Sequence, residues 1–164
     1  CITYQRKDGL FLPVIDNIRY ADTFLIETVD KTQTGYTIQP RTKIINSYAF
    51  ADCVSLTSIN IPSGVNNISI GAFSGCTSLT GITIPDSVII IDNNVFNGCT
   101  NLSCVTIGSG VTTIGGNAFY NCTSLSSVTI PNGITNIHSA TFKGCTGLTN
   151  VAIPNSVTTI GDEA

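Results

Sequence analysis

Five cysteines, Cys53, Cys76, Cys99, Cys122 and Cys145, stand 23 residues apart at every step. Four further columns keep the same register: Phe50, Phe73, Phe96, Phe119 and Phe142; Leu56, Leu79, Leu102, Leu125 and Leu148; Ile61, Ile84, Ile107, Ile130 and Ile153; and Ile45, Ile68, Ile91, Ile114, Ile137 and Ile160. No insertion or deletion interrupts them. A unit this short cannot bury its apolar residues alone, but stacked copies can, because each column continues into the next coil. The period therefore demands a solenoid.

Within each unit the segment L-x-x-I-x-I alternates apolar and polar residues at its end, the pattern of a strand with one buried face. It predicts consecutive strands at 56–61, 79–84, 102–107, 125–130 and 148–153, paired in parallel as one sheet. Pro62, Pro85, Pro131 and Pro154 stop these strands, since proline cannot donate to a ladder; Gly108 takes that place in the middle unit. Val and Ile three residues apart (Val65 and Ile68, Val111 and Ile114) suit a short extended arm running back. The A-F-x-G-C stretch is too short for a real helix and is expected to be a turn or single 3₁₀ coil. Gly75, Gly98, Asn121 and Gly144 would supply its left-handed residue before Cys.

The outward positions of the sheet are the candidate binding face. Asn60, Thr83, Thr106 and Thr129 lie between the inward apolar residues of their strands, and Thr57, Thr80, Ser103, Ser126 and Thr149 flank them. The result is a shallow, hydroxyl-rich surface suited to a protein partner or a glycan, although threonine also simply suits exposed strands. Five strands at about 4.8 Å give a sheet about 24 Å long, and an outward strip on the order of 250 Å². A standard interface takes roughly 800 Å² per partner, so binding by this face alone should be weak. Large aromatic anchors are missing from it.

Charge divides the chain. Six of the seven Lys and Arg lie in residues 1–43, whereas from Ile44 onward there are five acids, Lys143 and His138. We expect a leader or capping region at 1–43, with hairpin-like strands and a degenerate half-repeat, and an array of about five repeats at 44–164, cut within a repeat at its C-terminus. The net charge of −3 offers no basic field for nucleic acid. The longest aliphatic run, Val88 to Ile91, is far short of the roughly 20 apolar residues of a spanning helix, so no membrane insertion is expected in this segment. Arg6, Lys7, Asp8, Asp16 and Arg19 interrupt the first twenty positions, so these do not read as a cleavable signal.

The signature A-F-x-G-C-x-x-L-x-x-I-x-I-P resembles the BspA-like class of leucine-rich repeats, closely over residues 45–164 and loosely before them. The resemblance implies a right-handed leucine-rich-repeat solenoid of the α/β horseshoe class, here mostly β with short turns or 3₁₀ coils and a parallel sheet on one face. It also implies a cell-surface or secreted protein that works as a protein-binding or adhesion module toward host matrix or cell-surface proteins. The alternative is a structural spacer that displays another domain and has no ligand of its own. The open C-terminal coil, with Val151, Ile153, Val157 and Ile160 lacking a following coil, is expected to fray or to associate end to end.

Enzymatic chemistry finds no footing in the sequence. One thiol per coil in a straight column does not converge on a metal as tetrahedral zinc requires. Stacked positions about 4.8 Å apart suit a disulfide poorly. The ladder cysteines are therefore expected to be buried and reduced, packed as small hydrophobes beside the Phe column. Cys104 and His138 fall on different arms of different repeats, out of reach as a nucleophile–base pair. No nucleotide fingerprint occurs, and no cofactor is expected. Sequons at Asn67, Asn101 and Asn121 matter only in a eukaryotic secretory context.

Overall fold

The computed structural model describes residues 11–164. Cys1 and the first ten residues of the expected leader lie outside the described residues. The chain opens with three short antiparallel strands, β1 (Val14–Ile15), β2 (Ile18–Ala21) and β3 (Phe24–Thr28). Asp16 and Asn17, both at positive φ, make the first tight connection, as a primed hairpin turn requires. Strand β3 then pairs in parallel with β4 (Ile44–Ile45), so these first strands are hydrogen-bonded directly onto the repeats.

From β4 onward the coils build two ladders. The return arms carry β4, β5 (Asn67–Ile68), β7 (Ile90–Ile91) and β9 (Thr113–Ile114), which extend the leader into one seven-stranded sheet. Two further return-arm strands, β11 (Asn136–Ile137) and β13 (Thr159–Ile160), pair with each other. On the other side β6 (Gly81–Ile84), β8 (Cys104–Ile107), β10 (Ser127–Thr129) and β12 (Asn150–Ala152) form a four-stranded parallel sheet. No helix occurs among the described residues.

Two details depart from the pattern expected of the sequence. The outer strands begin two residues after the leucine column, because the leucine amides belong to the preceding turn: the Leu79 and Leu102 N–H groups donate to the Cys76 and Cys99 carbonyls. Pairing starts only once that turn is closed. The segment 56–61 is not a strand. Its N-terminal neighbour is the degenerate half-repeat, which meets it at one bridge, Thr37 to Asn60. Among the described residues no backbone hydrogen bond joins 58–61 to Gly81–Ile84.

The A-F-x-G-C stretch is a run of turns that makes a third ladder. Its amides alternate: Ala51 and Cys53 donate three residues back, to Tyr48 and Phe50, while Tyr48, Phe50 and Asp52 donate to Ile70, Ala72 and Ser74 of the following coil. Two left-handed positions per coil produce this alternation. One is the expected column of Gly75, Gly98, Asn121 and Gly144, joined by Asp52. The other is Tyr48, Gly71, Asn94, Asn117, Ala140 and Glu163. Here the amides point forward, whereas on the outer face and the return arm they point back to the preceding coil, as from Thr80 to Thr57 and from Asn66 to Lys43.

The core is the set of columns. Phe50, Phe73, Phe96 and Phe119 are fully buried, and each successive ring pair through to Phe142 stacks at centroid distances of 5.1–5.6 Å with planes within 3–15°. Such pairs add about 0.5–1.5 kcal/mol each beyond their buried area. The columns lose cover in the last coil: Ile153 and Ile160 are 51% and 59% exposed, against 4% and 6% for Ile130 and Ile137 one unit earlier. Ile137, Phe142, Leu148, Val151, Ile153, Ile160 and Ala164 line an apolar hollow of about 220 Å³ there.

Candidate ligand-binding face

All nine residues singled out on the outer face are exposed, but their polar side chains divide into two kinds, with Thr149 at the end of the flanking column making no side-chain hydrogen bond among the described residues. The hydroxyls of Thr57, Thr80, Ser103 and Ser126 donate to the carbonyls of Thr34, Thr57, Thr80 and Ser103 at 3.1, 3.4, 3.0 and 3.2 Å. Each one ties its coil to the coil before it. The flanking column is thus a hydroxyl ladder parallel to the backbone ladder, and those protons are already committed. Among the described residues no hydrogen bond involves the side chains of Asn60, Thr83, Thr106 or Thr129. Their donors and acceptors face outward.

The face is not uniform along its length. A depression of about 650 Å³ lies over its first coils, where Thr37, Asn60, Thr83 and Thr106 form one row of outward side chains. The second row, Gly35, Ser58, Gly81 and Cys104, holds only small groups. Between the rows run Tyr36, Ile59 and Ile82, whose side chains turn into the core. No residue lining the depression is charged. The sequence sign of the second row is glycine at the strand position Gly81, in register with Ser58 and Cys104.

The ladder thiols are buried, and no disulfide joins them among the described residues. They are more than small hydrophobes. Cys76, Cys99, Cys122 and Cys145 each point Sγ at the carbonyl of the phenylalanine one coil back (Phe50, Phe73, Phe96 and Phe119) at 3.0–3.1 Å. A thiol is a weak donor, but here it adds a second partner to a carbonyl that already accepts an amide. Burial pushes the thiols of Cys76 and Cys122 up to about 12 and that of Cys145 up to about 11, and it raises Cys99 well above its ordinary value. Thiols held in the neutral form neither attack nor ligate.

Cys104 is exposed and opens β8 on the outer face, whereas His138 is exposed just after β11 on the return arm. The structure does not bring them together. No cluster of three metal-ligating side chains occurs among the described residues. No helix among them is long and apolar enough to cross a membrane.

Comparison with known proteins places this geometry. No curated protein matches the chain significantly. The chain resembles a Treponema pallidum leucine-rich repeat protein, T. pallidum TpLRR, at 26% identity and TM-score 0.69, over 88% of this chain and 83% of that one. A leucine-rich repeat protein from Eubacterium ventriosum is 30% identical with TM-score 0.64, over 88% of this chain and 45% of that one. One from Bacteroides ovatus is 25% identical with TM-score 0.67, over 98% of this chain and 50% of that one. The chain thus spans half or less of the latter two proteins. The model of the BspA type leucine rich repeat region matches residues 42–164 in six copies. With its coil length, its columns and its parallel outer sheet accounted for by that repeat, the chain belongs to the BspA-type leucine-rich-repeat family.

Proposed function

We propose that this chain is a binding and adhesion module of a cell-surface or secreted repeat protein, and that it holds its ligand on the four-stranded outer face. The single observation that carries this reading is the division of the face. One column of hydroxyls is spent on holding coils together, while Asn60, Thr83, Thr106 and Thr129 present unpaired polar groups at one per coil. Leucine-rich-repeat arrays generally serve interactions and are not typically catalytic. The kinship with a repeat class found on bacterial surface proteins supports display outside the cell, as do the sparsely charged repeats. We infer a leader and cap at 1–43 and the repeat array at 44–164, with the charged residues gathered in the first part.

A face this small binds weakly, so adhesion would come from many copies engaging at once. The rival, a spacer without a ligand, predicts that no surface of the coils matters for attachment. Beads bearing many copies of the chain should settle on epithelial cells or on decellularised matrix. Thr83→Lys, Thr106→Lys and Thr129→Lys together should abolish attachment, while Thr112→Lys, Thr135→Lys and Thr158→Lys on the return arm should not. Equal attachment by both sets, or none by the unaltered chain, would leave the spacer as the better account.

A further inference from the structure

We propose that the depression over the first coils of the outer face is a subsite for a short neutral oligosaccharide, extended along the solenoid axis from Gly35 to Cys104. This inference rests on the adhesion reading above and names its ligand class.

Its first support is the two glycines. Glycine inside a strand weakens it, and the usual excuses are a left-handed backbone or a neighbour that leaves no room for Cβ. Neither applies here. Gly35 and Gly81 do not have positive φ, and a Cβ on either would find its nearest neighbour, the Ser58 or Cys104 carbonyl oxygen, at an ordinary 3.6 Å. Gly110 is the contrast, since a Cβ there would lie 2.0 Å from the Asp86 oxygen. The fold requires glycine at 110 and not at 35 or 81. Gly81 opens β6, and a strand glycine with no internal reason marks a place where something outside approaches the backbone closely; Gly35, in the irregular segment before the Thr37 bridge, stands in the same row.

The second support is the open ladder. Gly81–Ile84 is the edge of the four-stranded sheet, and 58–61 beside it makes no backbone hydrogen bond to it among the described residues. Backbone donors and acceptors are thus available in the floor of the depression where the glycines expose it. Ligand hydroxyls, which both donate and accept, suit such a floor together with the unpaired side chains of Asn60, Thr83 and Thr106.

Charge and spacing decide the class. The lining carries no Lys, Arg, Asp or Glu, so it offers nothing to an acidic or basic peptide or to a sulfated or sialylated sugar. It exposes no aromatic pocket for a protein hot spot. Four coils at about 4.8 Å give a track about 14 Å long with one polar side chain per step. A sugar residue in an extended oligosaccharide advances by nearly one such step, so successive rings would meet equivalent groups.

Cys104 makes the test direct, because it is an exposed thiol in the lining, whereas the ladder thiols are buried. Alkylation by N-ethylmaleimide, followed residue by residue through peptide mapping, should be measured with and without cello-, malto-, manno- and chito-oligosaccharides. At least one of them should slow Cys104 by about tenfold, the unbound fraction expected near ten times Kd. Gly81→Val should remove that protection while leaving the melting temperature unchanged or raised, since it fills the depression and its Cβ meets only an ordinary contact. No protection by any of the four, or protection that survives Gly81→Val, overturns the assignment. Periodate treatment of the target surface in the bead assay separates the two proposals. If beads still attach through the outer face after it, the ligand is a protein and only the sugar subsite fails; if they never attach, the adhesion reading fails as well.

Discussion

Replacing Phe96 tests whether the stacked rings act as a continuous column or as independent core residues. Phe96 is fully buried between Phe73 at 5.6 Å and Phe119 at 5.4 Å, with planes within 8° and 15°. Leucine keeps most of the apolar area but removes both ring contacts, each worth about 0.5–1.5 kcal/mol, so Phe96→Leu should cost about 1–3 kcal/mol. Phe142 has one ring neighbour among the column, Phe119 at 5.5 Å, and is only partly buried. Phe142→Leu should therefore cost about half as much. Truncation to alanine at 96 adds a cavity and should reach about 3–5 kcal/mol. Because each coil touches only its neighbours, that loss in mid-array should also split one cooperative urea transition into two. Unfolding followed by circular dichroism and by Tyr fluorescence would show it. Equal costs at 96 and 142 would refute the column argument, as would a loss under about 0.5 kcal/mol for Phe96→Leu.

Other expectations follow from the same contacts. The ladder thiols are held neutral with folded-state values near 11–12, above about 8.5 for an unfolded cysteine, so the fold binds protons more tightly than the unfolded chain. Their contribution is complete below about pH 8.5 and lost as pH rises toward 11–12, so the urea midpoint should fall over that window; a midpoint flat to pH 11 would contradict it. Gly110→Ala should destabilise by about 1–3 kcal/mol, or more, through its clash with the Asp86 carbonyl, whereas Gly81→Ala should be neutral or stabilising in thermal melts. Ile130→Ala should cost about 2–5 kcal/mol, while Ile153→Ala, one coil later and half exposed, should cost clearly less. We also expect concentration-dependent association through the apolar hollow at Ile153 and Ile160, which Ile160→Lys should suppress in sedimentation runs.

The period carried most of the fold because burial in a solenoid is set by column. Phe, Cys, Leu and Ile repeat so strictly that their inward direction could be read directly, and the prolines after Ile84, Ile130 and Ile153 marked where strands stop. The second left-handed position was hidden because Gly71, Asn94 and Asn117, which favour that backbone, share their column with Tyr48, Ala140 and Glu163, which do not. The extent of pairing was equally hidden, since 56–61 has the same alternation as its neighbours but sits beside the degenerate half-repeat. On the face, composition could not tell a threonine that donates to the coil before it from one that faces outward. Thr80 and Thr83 differ in that respect by geometry alone.

The opposed direction of the hydrogen bonds has a mechanical consequence. Coils are held to their neighbours by up to three ladders whose bonds lie roughly along the solenoid axis, the return-arm ladder being interrupted between β9 and β11, so a pull on the two ends loads the coil junctions in series. Tension from a tethered cell would peel the terminal coil first, and each release would free 23 residues, an extension of about 75–80 Å at full stretch. The remaining coils would stay intact, because each rests only on its neighbours. A chain drawn out between two anchors should thus yield in equal steps, absorbing load as a sequence of small failures and re-forming from the surviving stack when the load is removed.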